Sequence, residues 1–117
     1  MSATGTGVAM WVDVCAVDDL VPDRGVAALV GGKQVAVFRV SPCGTVYALA
    51  NHDPFSGANV LARGIVGSKD DVPKVASPMY KQAFDLRTGH CLDDPSVSVA
   101  TFPVRVLGGR VEVSVPC

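Results

Sequence analysis

The sequence has little charge and no excess of either sign. Its 117 residues include 10 lysines and arginines against 11 aspartates and glutamates, which leaves a formal net charge of -1. Proteins that hold nucleic acid or an anionic membrane surface by electrostatics carry a basic patch or a clear positive excess. We therefore expect no partner of either class.

Long hydrophobic runs are also missing. Hydrophobic residues make up 49% of the chain, but no uninterrupted run approaches the roughly 18 to 20 residues of a membrane-spanning helix. Residues 1–9 have neither the basic region nor the apolar region of a secretory signal and predict a flexible tail. These features favour a cytoplasmic protein with no membrane partner.

Side chains that bind metals are few and scattered. The chain has only two histidines, and its four cysteines form no C-x-x-C pair: Cys15, Cys43, Cys91 and Cys117. His90 next to Cys91 fits no zinc-ligand spacing, and disulfides are unusual in the cytosol. We expect core or loop cysteines and no metal site.

What the sequence does contain is a series of short β-strand patterns. The clearest are two hairpins, 26–30 with 34–40 around Gly31-Gly32, and 104–107 with 110–115 around Gly108-Gly109. Glycine tolerates the positive φ that tight hairpin turns need. Further strands are expected at 11–15, 45–50, 75–77 and 82–86. Roughly eight to ten short strands predict an all-β sandwich or barrel of antiparallel strands.

One segment interrupts the strand pattern. Residues 51–74 predict a loop far longer than the usual length of about 4 to 6 residues, with a short helix expected at 58–63. The segment nevertheless carries apolar side chains, namely Phe55, Val60, Leu61, Ile65 and Val66. These side chains either fold back onto the core or dock a partner, and the sequence leaves both open.

Candidate catalytic groups lack the neighbours that their chemistry needs. His52 beside Asp53 has the composition of an acid–base pair, but adjacent residues of an extended segment point to opposite sides. An aspartate before proline is typical of a turn. Ser77 is not part of a nucleophile elbow, and the acidic pairs 70–71 and 93–94 lack the ligand spacing of a calcium loop. We expect no catalytic residue in this chain.

Several segments resemble one protein family. They are residues 51–56 (NHDPFS), 60–67 (VLARGIVG), 76–82 (ASPMYKQ) and 84–86 (FDL). They are similar to the small subunit of the NAD(P)H-dependent assimilatory nitrite reductase, and the likeness extends from about Trp11 to Val115. The resemblance implies a Rieske-like β-sandwich over residues 10–117.

The resemblance also locates the positions where a Rieske protein holds its iron–sulfur cluster. A Rieske centre needs two thiolates on one iron and two imidazoles on the other, which come from a Cys-x-His and a Cys-x-x-His pair. In this register the four ligand positions are Asn51, Asp53, Ser77 and Tyr80. None of the four keeps the ligand, so we expect vestigial positions and no cofactor on this chain.

The resemblance implies a partner in place of a redox centre. In the family, a large catalytic subunit carries FAD, a [4Fe-4S] cluster and siroheme, and reduces nitrite to ammonium with electrons from NADH or NADPH. The implied role of this chain is non-catalytic support of that subunit in nitrate assimilation. The side chains expected to contact it are Phe55, Val60, Leu61, Arg63, Ile65, Tyr80 and Lys81.

Two other functions stay open at this point. A Rieske-type electron-transfer protein with unusual ligands would contain iron and sulfide when purified. A free-standing protein-binding module would instead be recovered with an unrelated partner.

Overall fold

The architecture was obtained as a computed structural model, which describes residues 9–41, 44–79 and 81–116. Residues 1–8 of the expected tail, Cys43, Cys117 and the ligand position Tyr80 lie outside the described residues. Strands account for most of the regular structure, which confirms the predicted all-β fold.

The described chain forms ten strands, which we number in chain order. They are β1 Ala9–Ala16, β2 Gly25–Val30, β3 Lys33–Val40, β4 Thr45–Ala50, β5 Ile65–Lys69, β6 Val72–Ala76, β7 Ala83–Asp85, β8 Thr101–Phe102, β9 Val104–Leu107 and β10 Arg110–Pro116. Two single 3-10 turns, Val17–Asp19 and Leu61–Arg63, complete the regular elements. Within the described ranges, no helix has the length and apolar character needed to cross a membrane.

The strands pair into three antiparallel sheets. Their orders are β1-β10-β9, β2-β3-β4-β8 and β5-β6-β7. Both hairpins predicted around glycine pairs are present as β2–β3 and β9–β10. Gly31 and Gly32 have φ angles of 56° and 81°, the left-handed backbone that a two-residue hairpin turn requires.

The central strand β3 is buried on both faces. Val35 and Val37 point into one hydrophobic cluster, where they meet Val113 of the first sheet. Phe38, the residue after Val37, points to the opposite face and into a second cluster with Phe84 of the third sheet. Because successive side chains of a strand alternate between its faces, a continuous apolar run lets β3 serve two cores. The β2-β3-β4-β8 sheet is therefore the middle layer of the fold.

The predicted loop at 51–74 is wrong over its second half. Residues 65–69 and 72–76 form the β5–β6 hairpin, and the irregular segment ends at Gly64. The turn is made by Asp70 and Asp71, both with positive φ, a conformation that aspartate tolerates better than most residues. The helix expected at 58–63 is reduced to the 3-10 turn Leu61–Arg63.

Candidate functional site

Two loops meet beside the third sheet, and we call them the paired loops. The first, residues 51–64, follows β4, and the second, residues 77–82, joins β6 to β7. Three of the four expected ligand positions lie in them and are described: Asn51, Asp53 and Ser77 are 2%, 0% and 1% exposed. Polar side chains buried to this degree need hydrogen-bond partners, and each of them has partners within the protein.

Asn51 attaches the first loop to the end of β4. Its Oδ1 accepts a hydrogen bond of 2.7 Å from the backbone N–H of Ala62, and its Nδ2 donates to the carbonyl of Asn59 at 3.2 Å. The backbone N–H of Leu61 donates to the Asn51 carbonyl at 3.1 Å. Asn51 thereby fixes the 3-10 turn so that Leu61 points into the core.

Asp53 connects the two loops. Its Oδ1 accepts a hydrogen bond of 2.9 Å from the backbone N–H of Phe55, which closes an Asx turn. Its Oδ2 accepts a hydrogen bond of 2.5 Å from Ser77 Oγ in the second loop. Ser77 Oγ in turn accepts a hydrogen bond of 3.3 Å from the backbone N–H of Met79. One short chain of hydrogen bonds therefore spans both loops.

The hydrogen bonds also set the charge state of Asp53. Burial by itself raises the pKa of this carboxyl, but the hydrogen bonds from Ser77, Phe55 and Ser56 outweigh it and hold the pKa below its ordinary value. Donors to the ionised form stabilise it in this way. At neutral pH the bond between the loops is therefore accepted by a carboxylate, which makes it a charge-assisted hydrogen bond.

The donor atoms at these positions do not fit a Rieske cluster. An amide, a carboxylate and a hydroxyl replace the required thiolates and imidazole, and all three side chains are already bonded to other protein groups. Over the part of the chain that is described, no group of three or more His, Cys, Asp or Glu side chains could hold a metal ion. Cys15 and Cys91 are free thiols and lie outside the paired loops.

Most of the described side chains that are expected to contact a partner are exposed or half-buried. Ile65 is 77% exposed, Arg63 and Lys81 are exposed, and Val60 is half-buried. Phe55 is also half-buried, with its ring centroid 6.2 Å from that of Phe84.

Leu61 corrects that expectation, because it is fully buried and belongs to the core. A side chain there stabilises the loop from inside and cannot contact a partner. Met79 is the reverse case. It is 51% exposed on the second loop and was not among the expected contacts. Its place in the sequence, between the expected ligand positions Ser77 and Tyr80, could have indicated it.

His52 forms no acid–base pair with its neighbour. Its ring is exposed, with Nδ1 3.3 Å from Asn59 Oδ1, whereas Asp53 is buried. The two side chains point to opposite sides, as expected for adjacent residues on an extended segment.

A sandwich of antiparallel sheets with paired loops beside the third sheet defines the class of Rieske-like domains. A family model described as a Rieske-like [2Fe-2S] domain matches residues 10–114. The nitrite reductase (NADH) small subunit of Escherichia coli (strain K12) is 41% identical over 106 residues, which cover 91% of this chain and 98% of that one.

Two further relatives extend the comparison. A crystal structure assigned as an NADH-dependent nitrite reductase small subunit from Mycobacterium tuberculosis has a TM-score of 0.90 and 49% identity, and covers 94% of this chain and 98% of that one. In Klebsiella oxytoca the similar segment is part of a nitrite reductase [NAD(P)H] large subunit, 41% identical over 103 residues, or 88% of this chain and 11% of that protein. This chain belongs to the Rieske-like family and, within it, to the small subunits of nitrite reductase.

Proposed function

We propose that this chain is the non-catalytic small subunit of a cytoplasmic NAD(P)H-dependent nitrite reductase. The observation that supports the proposal is the bonding of Asn51, Asp53 and Ser77, whose buried polar atoms have protein partners. These are positions where we expect a Rieske protein to hold its cluster ligands. Without a thiolate or imidazole, these three positions cannot hold a Rieske cluster. The chain supports the large subunit, which carries FAD, a [4Fe-4S] cluster and siroheme and reduces nitrite to ammonium.

The Klebsiella oxytoca relative supports association between the two parts. There a segment 41% identical to this chain is covalently part of the large subunit. A domain that is fused to the rest of an enzyme in one species and separate in another is expected to contact it in both. Because no peptide linkage holds the separate chain to the enzyme, that chain needs a surface that binds it.

The surface that we assign to this contact surrounds the paired loops. Ile65 and Met79 are 77% and 51% exposed, and Phe55 is half-buried on the first loop. Arg63 and Lys81 add charge. Apolar anchors with arginine at their edge are typical of protein interfaces. Val60 and Tyr80 remain predicted contacts of the same surface.

A cytoplasmic location agrees with the state of the cysteines. Cys15 and Cys91 are free thiols, and thiols persist in compartments that are kept reducing.

The first test is purification of the tagged chain from its own cells grown on nitrite. We expect recovery of a large subunit with flavin and siroheme, and no iron or acid-labile sulfide in the small chain after the two are separated. Recovery of an unrelated partner alone would contradict the proposal. Stoichiometric iron and sulfide in the small chain would favour electron transfer instead.

The second test uses single substitutions in the purified complex. Ile65→Ala and Phe55→Ala are expected to raise the dissociation constant of the complex, and Tyr80→Ala tests the predicted contact at that position. Leu107→Ala is the matched control, because Leu107 is also exposed, at 54%, but lies on β9 of the first sheet. Equal affinities for the wild type and all four variants would contradict the assigned surface.

A further inference from the structure

A groove of about 420 Å³ separates the beginnings of β2 and β5, beside the paired loops. Arg24 and Gly25 line one wall, and Arg63 and Ile65 line the other. A methyl group on Gly25 would collide with the backbone carbonyl of Ala62, so the backbone of β2 lies directly against the 3-10 turn. The groove is therefore a fixed feature of the packing between two sheets.

Both strands beside the groove are sheet edges. β2 is the first strand of the β2-β3-β4-β8 sheet, and β5 is the first strand of the β5-β6-β7 sheet. Beyond its pairing with β6, no residue of β5 takes part in a backbone hydrogen bond with another described residue. Free N–H and C=O groups on a strand edge are a template for an added strand.

The groove carries positive charge that is not neutralised within the described structure. Arg87, Arg105 and Arg110 each form an ion pair with a carboxylate. Arg24 and Arg63 are exposed, and neither lies within ion-pair distance of a described carboxylate. Asp23 also lines the groove, but its Oδ1 accepts a hydrogen bond of 2.9 Å from the backbone N–H of Ser41. Two arginines against one aspartate leave the groove positive on a chain whose net charge is -1.

Of the two edges, β5 offers the larger apolar contact within the groove, where β2 contributes only Gly25. Ile65 is 77% exposed at the first residue of β5, whereas the exposed Leu29 of β2, at 73%, is not among the residues that line the groove. Burial of an exposed isoleucine side chain removes apolar surface from water and is favourable. An added strand on β5 would cover Ile65 and lie between the two arginines.

We propose that this groove binds an extended, acidic segment of the large subunit, which adds as a strand to the free edge of β5. Carboxylates of that segment face Arg24 and Arg63, and an apolar residue covers Ile65. The inference rests on the proposed function and specifies the kind of segment that the large subunit contributes.

Charge reversal tests the electrostatic part. Binding of the purified large subunit is measured at low and moderate ionic strength for the wild type, Arg24→Glu, Arg63→Glu and the control Lys33→Glu. Lys33 is exposed on the β2–β3 hairpin, away from the groove residues, and its substitution changes the net charge equally. We expect each arginine variant to raise Kd by on the order of tenfold or more at low salt, with a weaker salt dependence than the wild type, while Lys33→Glu binds normally.

Hydrogen exchange tests the added strand. On complex formation, backbone amides of β5 that point away from β6 are expected to exchange at least about tenfold more slowly, whereas amides of β9 keep their rates. If the large subunit binds but the β5 amides exchange as in the free chain, or both arginine variants bind like the wild type, the groove proposal is overturned and the proposed function stands. If the wild-type chain does not bind the large subunit at all, the proposed function itself fails.

Discussion

Ser77 Oγ donates a 2.5 Å hydrogen bond to Asp53 Oδ2, and both side chains are almost completely buried. The two residues belong to different loops and stand at two of the positions where we expect a Rieske protein to hold its cluster ligands. In such a protein the metal centre links the loops through ligands from both of them. Here a charge-assisted hydrogen bond makes that link, so the loops keep a defined arrangement without a metal.

Removal of this bond should destabilise the fold. Ser77→Ala leaves the buried Asp53 carboxylate without its donor from the second loop, and the loss of a partner to a buried polar group costs about 1 to 3 kcal/mol. The free energy of unfolding, measured by urea denaturation, should fall by that amount. Ser68→Ala is the control, because Ser68 is exposed on β5 and surface substitutions usually change stability by less than about 0.5 kcal/mol. Equal effects of the two substitutions would show that the bond does not stabilise the fold.

Stability should decrease as the pH becomes acidic. Burial tends to raise the pKa of Asp53, but hydrogen bonds lower it below the ordinary value, and Asp85 behaves alike through hydrogen bonds from Arg87. A carboxyl with a depressed folded-state pKa contributes stability that is present above its unfolded pKa of about 3.9 and lost as the pH falls through the folded value. Urea denaturation from about pH 7 to about pH 2 should therefore show a steep loss below about pH 4 to 5.

Asp53→Asn isolates the contribution of this carboxyl. The variant should be less stable than the wild type at neutral pH, and the difference should shrink as the pH falls and Asp53 of the wild type becomes protonated. Ser77→Ala should move the titration of Asp53, followed by carbon NMR, to higher pH, because a donor to the ionised form is gone. A difference between Asp53→Asn and wild type that is constant over the whole pH range would contradict the depressed pKa.

Asn51→Ala should release the 3-10 turn. The substitution leaves the backbone N–H of Ala62 without its acceptor at 2.7 Å, and Ala62 is 8% exposed, so water reaches it poorly. We expect a loss of about 1 to 3 kcal/mol in the free energy of unfolding and faster hydrogen exchange at the Ala62 amide. Asn59→Ala is the control, since Asn59 is exposed and its carbonyl, which bonds Asn51, is kept. An unchanged exchange rate at Ala62 in Asn51→Ala would refute this role.

The sequence was sufficient for strands whose turns have an unambiguous signal. The β2–β3 and β9–β10 hairpins were predicted because glycine pairs separate β-branched runs. The β5–β6 hairpin was missed because Asp70 and Asp71 make its turn and Gly67 and Pro73 lie within its strands, residues that are usually depleted there.

The candidate site could likewise be predicted only in part from the sequence. The family register identified Asn51, Asp53 and Ser77, but no local pattern indicated that the last two are bonded to each other. They are 24 positions apart, and their loops follow strands of two different sheets, β4 and β6. The sequence left open whether Leu61 folds back onto the core, because the position of the turn is set by bonds to Asn51.

The final prediction is that a cluster can be restored. A variant with Asn51→Cys, Asp53→His, Ser77→Cys and Tyr80→His presents two thiolates and two imidazoles in the Rieske register. The first three positions are buried in the paired loops, and the side chains of Asp53 and Ser77 already meet there. Reconstitution with iron and sulfide should give a coloured protein with iron and acid-labile sulfide in equal amounts, and thermal unfolding should move to higher temperature when the cluster is bound.

The same variant with Ser77 retained is the control and should stay colourless. A folded four-site variant that binds no cluster would mean that these residues do not occupy the ligand positions of a Rieske protein.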